Sequence, residues 1–95
     1  MLYIVSYQLA THLFRNTTAF TDEIQRSRSW MHYIDNTWVV STSETIGELD
    51  GRLRNCLNLT DGDSLLIMQT NGTSAGWLPE EAWNWIQEHS NDGEL

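Results

Sequence analysis

The residues best equipped for chemistry sit in one stretch, Trp30-Met31-His32-Tyr33-Ile34-Asp35-Asn36-Thr37-Trp38, where an imidazole lies among indoles and a phenol. An imidazole so placed can bind a phosphate when protonated, shuttle a proton or hydrogen-bond a base. Trp30 or Trp38 can stack on a base, an interaction worth about 1–3 kcal/mol. Tyr7 and Gln8, at the end of an apolar amino-terminal run, and His12 just beyond it complete the candidate set. Each has a plainer account: aromatic residues on strands usually pack, a lone histidine is usually satisfied by a neighbouring hydroxyl, and His12 reads as a loop residue. His89 falls near the end of a helical pattern, where an imidazolium complements the helix dipole. The histidines lack the i, i+4 spacing or nearby cysteines that favour a metal centre, so no metal is expected. Asn71 to Gly76 is rich in small residues but lacks the GK[ST] ending of a phosphate loop, and reads as a hairpin loop. No hydroxyl nucleophile has an assignable base and orienter.

The elements that must position these residues follow from periodicity and turn chemistry. Asp35-Asn36 reads as a tight type I′ turn between strands, pairing Ile34 with Thr37, Tyr33 with Trp38, His32 with Val39, Met31 with Val40 and Trp30 with Ser41. Leu2 to Leu9 is a strand. Thr17 or Thr18 caps a helix that buries Ala19, Phe20 and Ile24, and Ser43 caps a second with the stripe Ile46, Leu49, Leu53, Cys56 and Leu57. Gly47 and Gly51 lie off that stripe and weaken the helix. Asp61-Gly62-Asp63 turns into a strand from Ser64 to Thr70, apolar on both sides. Asn71-Gly72 signals another hairpin and a short final strand, Ser74 to Leu78, before Pro79 opens a third helix with Glu80 and Glu81 at its positive end.

This order predicts an α+β fold: a ferredoxin-like β-α-β-β-α-β sandwich with an added short C-terminal strand and helix. Residues 1–89 form the single domain and 90–95 an acidic disordered tail. Both sandwich helices lie on one sheet face. The other face stays open, so a homodimer or a bound partner is expected there.

Composition narrows the partners. In 95 residues, 13 acidic side chains against 5 basic ones give a net charge of −8, and every basic residue is arginine. Gripping duplex through counterion release needs a basic footprint, so nonspecific duplex binding is excluded and any polynucleotide contact must be local, at Arg15, Arg26, Arg28, Arg52 or Arg54. Arg26 and Arg28 read as a solvated helix end, Arg52 and Arg54 as a solvated helix face. Cys56 is the sole cysteine. With no basic start or long apolar run of a signal peptide, and no apolar run of membrane-spanning length, a cytoplasmic protein without membrane contact is expected.

Ser6-Tyr7, the Ser29-to-Trp38 hairpin, Thr42, and Gly76-Trp77-Leu78 with Trp83 and Trp85 together resemble the SinR family of small bacterial proteins, which is unrelated to the helix-turn-helix repressor of that name. Members carry "SYDL", then "WWHYLDSTW", then "GWL" before a Trp-rich helix. That family is in turn similar in fold to VapD ribonucleases and to the small CRISPR-associated endonuclease of spacer acquisition. In that wider group an aspartate ending the first strand is associated with a divalent metal and phosphodiester cleavage; here the position is Gln8, a neutral amide that cannot supply the anionic oxygen Mg²⁺ prefers. The expectation is therefore a noncatalytic homodimeric binding module without a cofactor, holding a small nucleotide-type ligand, a short oligonucleotide or a partner protein through Tyr7, Gln8, Trp30, His32 and Trp38. The alternative is a ribonuclease or cyclic-nucleotide phosphodiesterase using His32, with His12 as partner and Mg²⁺ or Mn²⁺ as cofactor. A third reading is an acidic mimic of nucleic acid that blocks a basic partner.

Overall fold

The computed structural model describes residues 1–9, 17–56 and 62–90. Their order is β1 (Leu2–Gln8), α1 (Thr17–Gln25), β2 (Ser29–Ile34), β3 (Thr37–Ser41), α2 (Ile46–Asn55), β4 (Ser64–Thr70) and α3 (Glu80–His89). The strands form one antiparallel sheet in the order β2-β3-β1-β4. The fold is α+β, as the alternation of periodicities predicts. His12, the Asp61 turn residue, Leu57 and the acidic tail beyond Ser90 lie outside the described residues.

One sheet face carries the main core. Tyr3 and Val5 of β1 and Trp38 and Val40 of β3 pack with Phe20 and Ile24 of α1 and Leu49 and Leu53 of α2. Phe20 and Ile24 are four apart, as are Leu49 and Leu53, so each short helix turns one stripe inward. Ile46 departs from the predicted stripe and stands exposed. Its helix starts later than Ser43 suggests: the cap is Thr45, whose hydroxyl accepts from the Glu48 backbone N–H at 3.2 Å while the Glu48 carboxylate accepts from the Thr45 N–H at 2.9 Å. That reciprocal pair satisfies two end donors, which a serine at position 43 cannot do.

Within α2, a β-carbon built on Gly51 meets nothing within 4 Å. Gly51→Ala should therefore stabilise the protein by about 0.5–1 kcal/mol through reduced unfolded-chain freedom, read as a higher urea midpoint at unchanged slope.

The opposite sheet face is not left open along its whole length, contrary to the two-layer expectation. Ala82 of α3 is fully buried, and the Trp85 indole N–H donates to Ser29 Oγ at 3.1 Å. Ser29 pairs with Ser41 and Ser41 with Leu2, so the three share that face. Leu2, Met31 and Ser41 are buried beneath the helix. Further along the same face Ile4 and its neighbour Met68 remain exposed, as does Leu66.

The expected final strand is absent: residues 71–79 carry no strand. The turn itself forms, with Thr70 Oγ1 accepting from the Gly72 N–H at 3.1 Å and Asn71 Oδ1 from the Thr73 N–H at 2.9 Å. Gly72, at φ +91°, then seats against the Ser90 side chain at the end of α3, where a β-carbon would collide. The chain is thereby drawn toward α3 instead of back along β4, and Trp77 is left 98% exposed.

Candidate functional site

The β2–β3 hairpin turns at Asp35-Asn36, but not as a type I′ turn, since neither Asp35 nor Asn36 has the positive φ that turn requires. Ile34 pairs with Thr37 as expected; thereafter Met31 pairs with Val39 and Trp30 with Val40, a slip of one residue from the predicted register. The slip is a β-bulge, in which His32 and Tyr33 together oppose Trp38. Outside the I′ geometry, a two-residue turn splays its strands, and a bulge absorbs the mismatch in twist.

The bulge decides which side chains meet. It moves Trp30 onto the face of Trp38 and Val40, where the Trp30 and Trp38 rings lie 5.2 Å apart at 58°. His32 stacks on Trp38 with ring centres 3.8 Å apart and planes only 4° from parallel. Its Nε2 lies 2.8 Å from the Asp35 carbonyl oxygen. A carbonyl only accepts, so Nε2 carries the hydrogen, and in the neutral ring Nδ1 is the acceptor. The stack is therefore clamped at one edge by backbone.

Trp38 is 2% exposed and cannot itself receive a base, whereas Trp30 is 39% exposed and His32 is exposed. On its inner side the Trp38 indole N–H donates to the Tyr7 hydroxyl at 3.3 Å, and Tyr7 meets Phe20 edge-on at 4.8 Å. Tyr7 and Trp38 thus act as core supports, with Trp30 and His32 as the accessible pair. Arg28, two residues before Trp30, is exposed and makes no ion pair with another described residue.

Gln8 lies on the other side. The end of β1, the hairpin turn and the start of β4 enclose a cleft of about 370 Å³ lined by Ser6, Tyr7, Gln8, Asn36, Ser64, Leu65 and Leu66. The Tyr7 N–H donates to the Asn36 carbonyl at 3.1 Å, tying strand to turn, and Ser6 Oγ sits 3.3 Å from Thr37 Oγ1. The predicted set is therefore divided into an aromatic edge of Trp30 and His32 over Trp38, and a polar cleft with Tyr7 and Gln8. Asn36 and Ser64 belong to the cleft without a separate sign of it in the sequence: the Tyr7 N–H bond to the Asn36 carbonyl brings the first there and the pairing of Gln8 with Ser64 the second.

The remaining reactive groups are accounted for structurally. Burial, and then Glu23, push the Cys56 thiol up, and its Sγ donates to the Leu53 carbonyl at 2.9 Å, so it is no ready nucleophile. His89 stacks on Trp85 with centres 4.1 Å apart, its Nδ1 2.8 Å from the Trp85 carbonyl. Among the described residues no group of three or more His, Cys, Asp or Glu is arranged to hold a metal ion. Arg52 corrects the reading of a solvated basic face: its guanidinium donates to both carboxylate oxygens of Glu44 at 2.9 and 3.0 Å, to Ser27 Oγ at 2.9 Å and to the Glu23 carbonyl. It ties α2 to α1 and is not free for a ligand.

Fold and site together define a small α+β protein whose four-stranded sheet carries a stacked aromatic edge and a neutral cleft at one end. Comparisons with protein-family models, with curated proteins and with solved structures gave no match in any of the three. No described helix is long and apolar enough to cross a membrane.

Proposed function

We propose that this protein is a noncatalytic binding module that holds a small nucleotide-type ligand at its aromatic edge. The observation that carries the reading is the parallel His32–Trp38 stack, fixed through Nε2, with His32 exposed beside the exposed Trp30. A ring already stacked and clamped loses little freedom when a planar ligand extends the stack. Arg28 supplies a cation near the start of the same strand for a phosphate. A catalytic role for His32 is less well supported, because its partner is a backbone carbonyl and not a carboxylate that would stabilise an imidazolium.

The strand order, with α1 and α2 on one face, supports a ferredoxin-like reading, and the hairpin and Gly76-Trp77-Leu78 motifs support kinship with the SinR family. The exposed Ile4–Met68 strip supports a homodimer: on a two-fold axis the strip is its own apolar complement, and in a cytoplasmic setting it would otherwise face water.

Isothermal titration with mono-, di- and cyclic nucleotides tests the reading. Trp30→Ala and His32→Ala should each weaken binding about tenfold while leaving thermal unfolding nearly unchanged. Uniform absence of heat across the panel would remove the proposal, and turnover of RNA or cyclic dinucleotides that His32→Ala abolishes would replace it with the enzymatic one.

A further inference from the structure

We infer that the strand-end cleft is a second binding site, for the uncharged ring of an adenine nucleoside, and that Gln8 and Asn36 read it. Chemistry, size and surroundings lead to this class. In a chain of net charge −8, the cleft is lined among the described residues by neither a carboxylate nor a cation. An anionic group would find no partner there, while a neutral one meets no penalty for stripping a buried charge. Gln8 and Asn36 are exposed, and neither side-chain amide bonds to another described residue. Each offers a donor beside an acceptor.

That pairing suits adenine, whose N6 donor and N7 acceptor lie side by side and are matched bidentately by Asn or Gln. Guanine presents two acceptors on the same edge and calls for an arginine or lysine, which the described lining lacks. Leu66, exposed on the same sheet face as Gln8, provides an apolar wall for a flat ring, and Ser6 and Ser64 of that face add hydroxyls for a sugar. A volume of about 370 Å³ falls at the small-ligand end of binding clefts.

This site is separate from the aromatic edge. Gln8 belongs to the sheet face opposite Trp38, whereas the His32 ring stacks on Trp38 on the other face. The base of adenosine can reach either site, so the two are told apart by which residues respond.

The test is a ¹⁵N–¹H correlation titration of the full chain with adenosine and guanosine. Adenosine should shift the side-chain amide signals of Gln8 and Asn36 and the Tyr7 backbone N–H, which donates to the Asn36 carbonyl. Guanosine should bind at least about tenfold more weakly. Gln8→Glu, at an exposed position where the fold is indifferent, should cost about tenfold for adenosine as read from the Asn36 side-chain amide. Absence of those shifts at millimolar adenosine, or affinity retained in both Gln8→Glu and Asn36→Ser, would overturn the site. Shifts confined to Trp30 and His32 would also overturn it while supporting the aromatic edge. Conversely, cleft shifts that persist where nucleotides leave Trp30 unmoved would sink only the edge.

Discussion

Trp38→Ala should lower stability by about 3–5 kcal/mol, a large share of the roughly 5–15 kcal/mol that holds a domain of this kind. The indole is 2% exposed, lies beside Val5 across the β1–β3 ladder and donates to Tyr7. Truncation opens a cavity between β1 and the hairpin, removes the surface on which His32 stacks and strands the Tyr7 hydroxyl. Trp38→Phe should recover most of the loss, leaving about 1 kcal/mol for the missing N–H donor. Urea unfolding followed by far-ultraviolet circular dichroism measures both. A loss below about 1 kcal/mol in Trp38→Ala would mean that the ring is peripheral, and the aromatic edge would then lack its support.

The hairpin shows what a sequence of this kind reveals and what it conceals. Its turn is legible because Asp35-Asn36 interrupts two runs of strand formers, and Ile34 opposite Thr37 follows from that alone. The bulge is not legible. Trp30, Met31, His32 and Tyr33 suit either sheet face, so no polar-apolar alternation penalises a slip of one residue. Yet the slip places Trp30 and His32 with Trp38, and the candidate site depends on it. The same ambiguity hides the place of α3: Trp83, Trp85 and Ile86 announce an amphipathic helix but not which sheet face receives it. Tertiary contacts such as Trp85 with Ser29 resolve that. The strand-end cleft is half legible, since Tyr7 and Gln8 end β1, whereas Ser64 reaches it through a register with Gln8, 56 positions away in the chain.

Arg52 was the least legible residue. Its spacing within α2 resembles that of Arg54, which makes an exposed i, i+4 pair with Asp50 at 2.9 Å. Arg52 instead lies over the junction of α1 and α2 at 22% side-chain exposure, where Glu44, Glu23 and Ser27 converge. Its removal leaves two carboxylates partly desolvated and facing each other. Arg52→Met should therefore cost about 2–4 kcal/mol at neutral pH, somewhat under the figure for a fully buried pair because water reaches the cluster. Arg52→Lys should recover only part, since an ammonium cannot span both Glu44 oxygens and Ser27 together.

The pH dependence separates this charge effect from lost packing. Hydrogen bonding from Arg52 outweighs burial and, with Thr42 assisting, holds the Glu44 carboxyl below the ordinary glutamate value of 4.5. A folded-state pKa below the unfolded one means that the unfolded chain takes up protons first on acidification. The stabilisation from Glu44 is thus fully present above the unfolded value and is lost as pH falls through the folded one. The stability difference between the native chain and Arg52→Met should accordingly be constant from neutral pH down to about 5 and shrink below it. Urea midpoints measured across that interval decide the matter: a difference that stays constant into acid would show that Arg52 acts through its aliphatic stem and not through the ion pair.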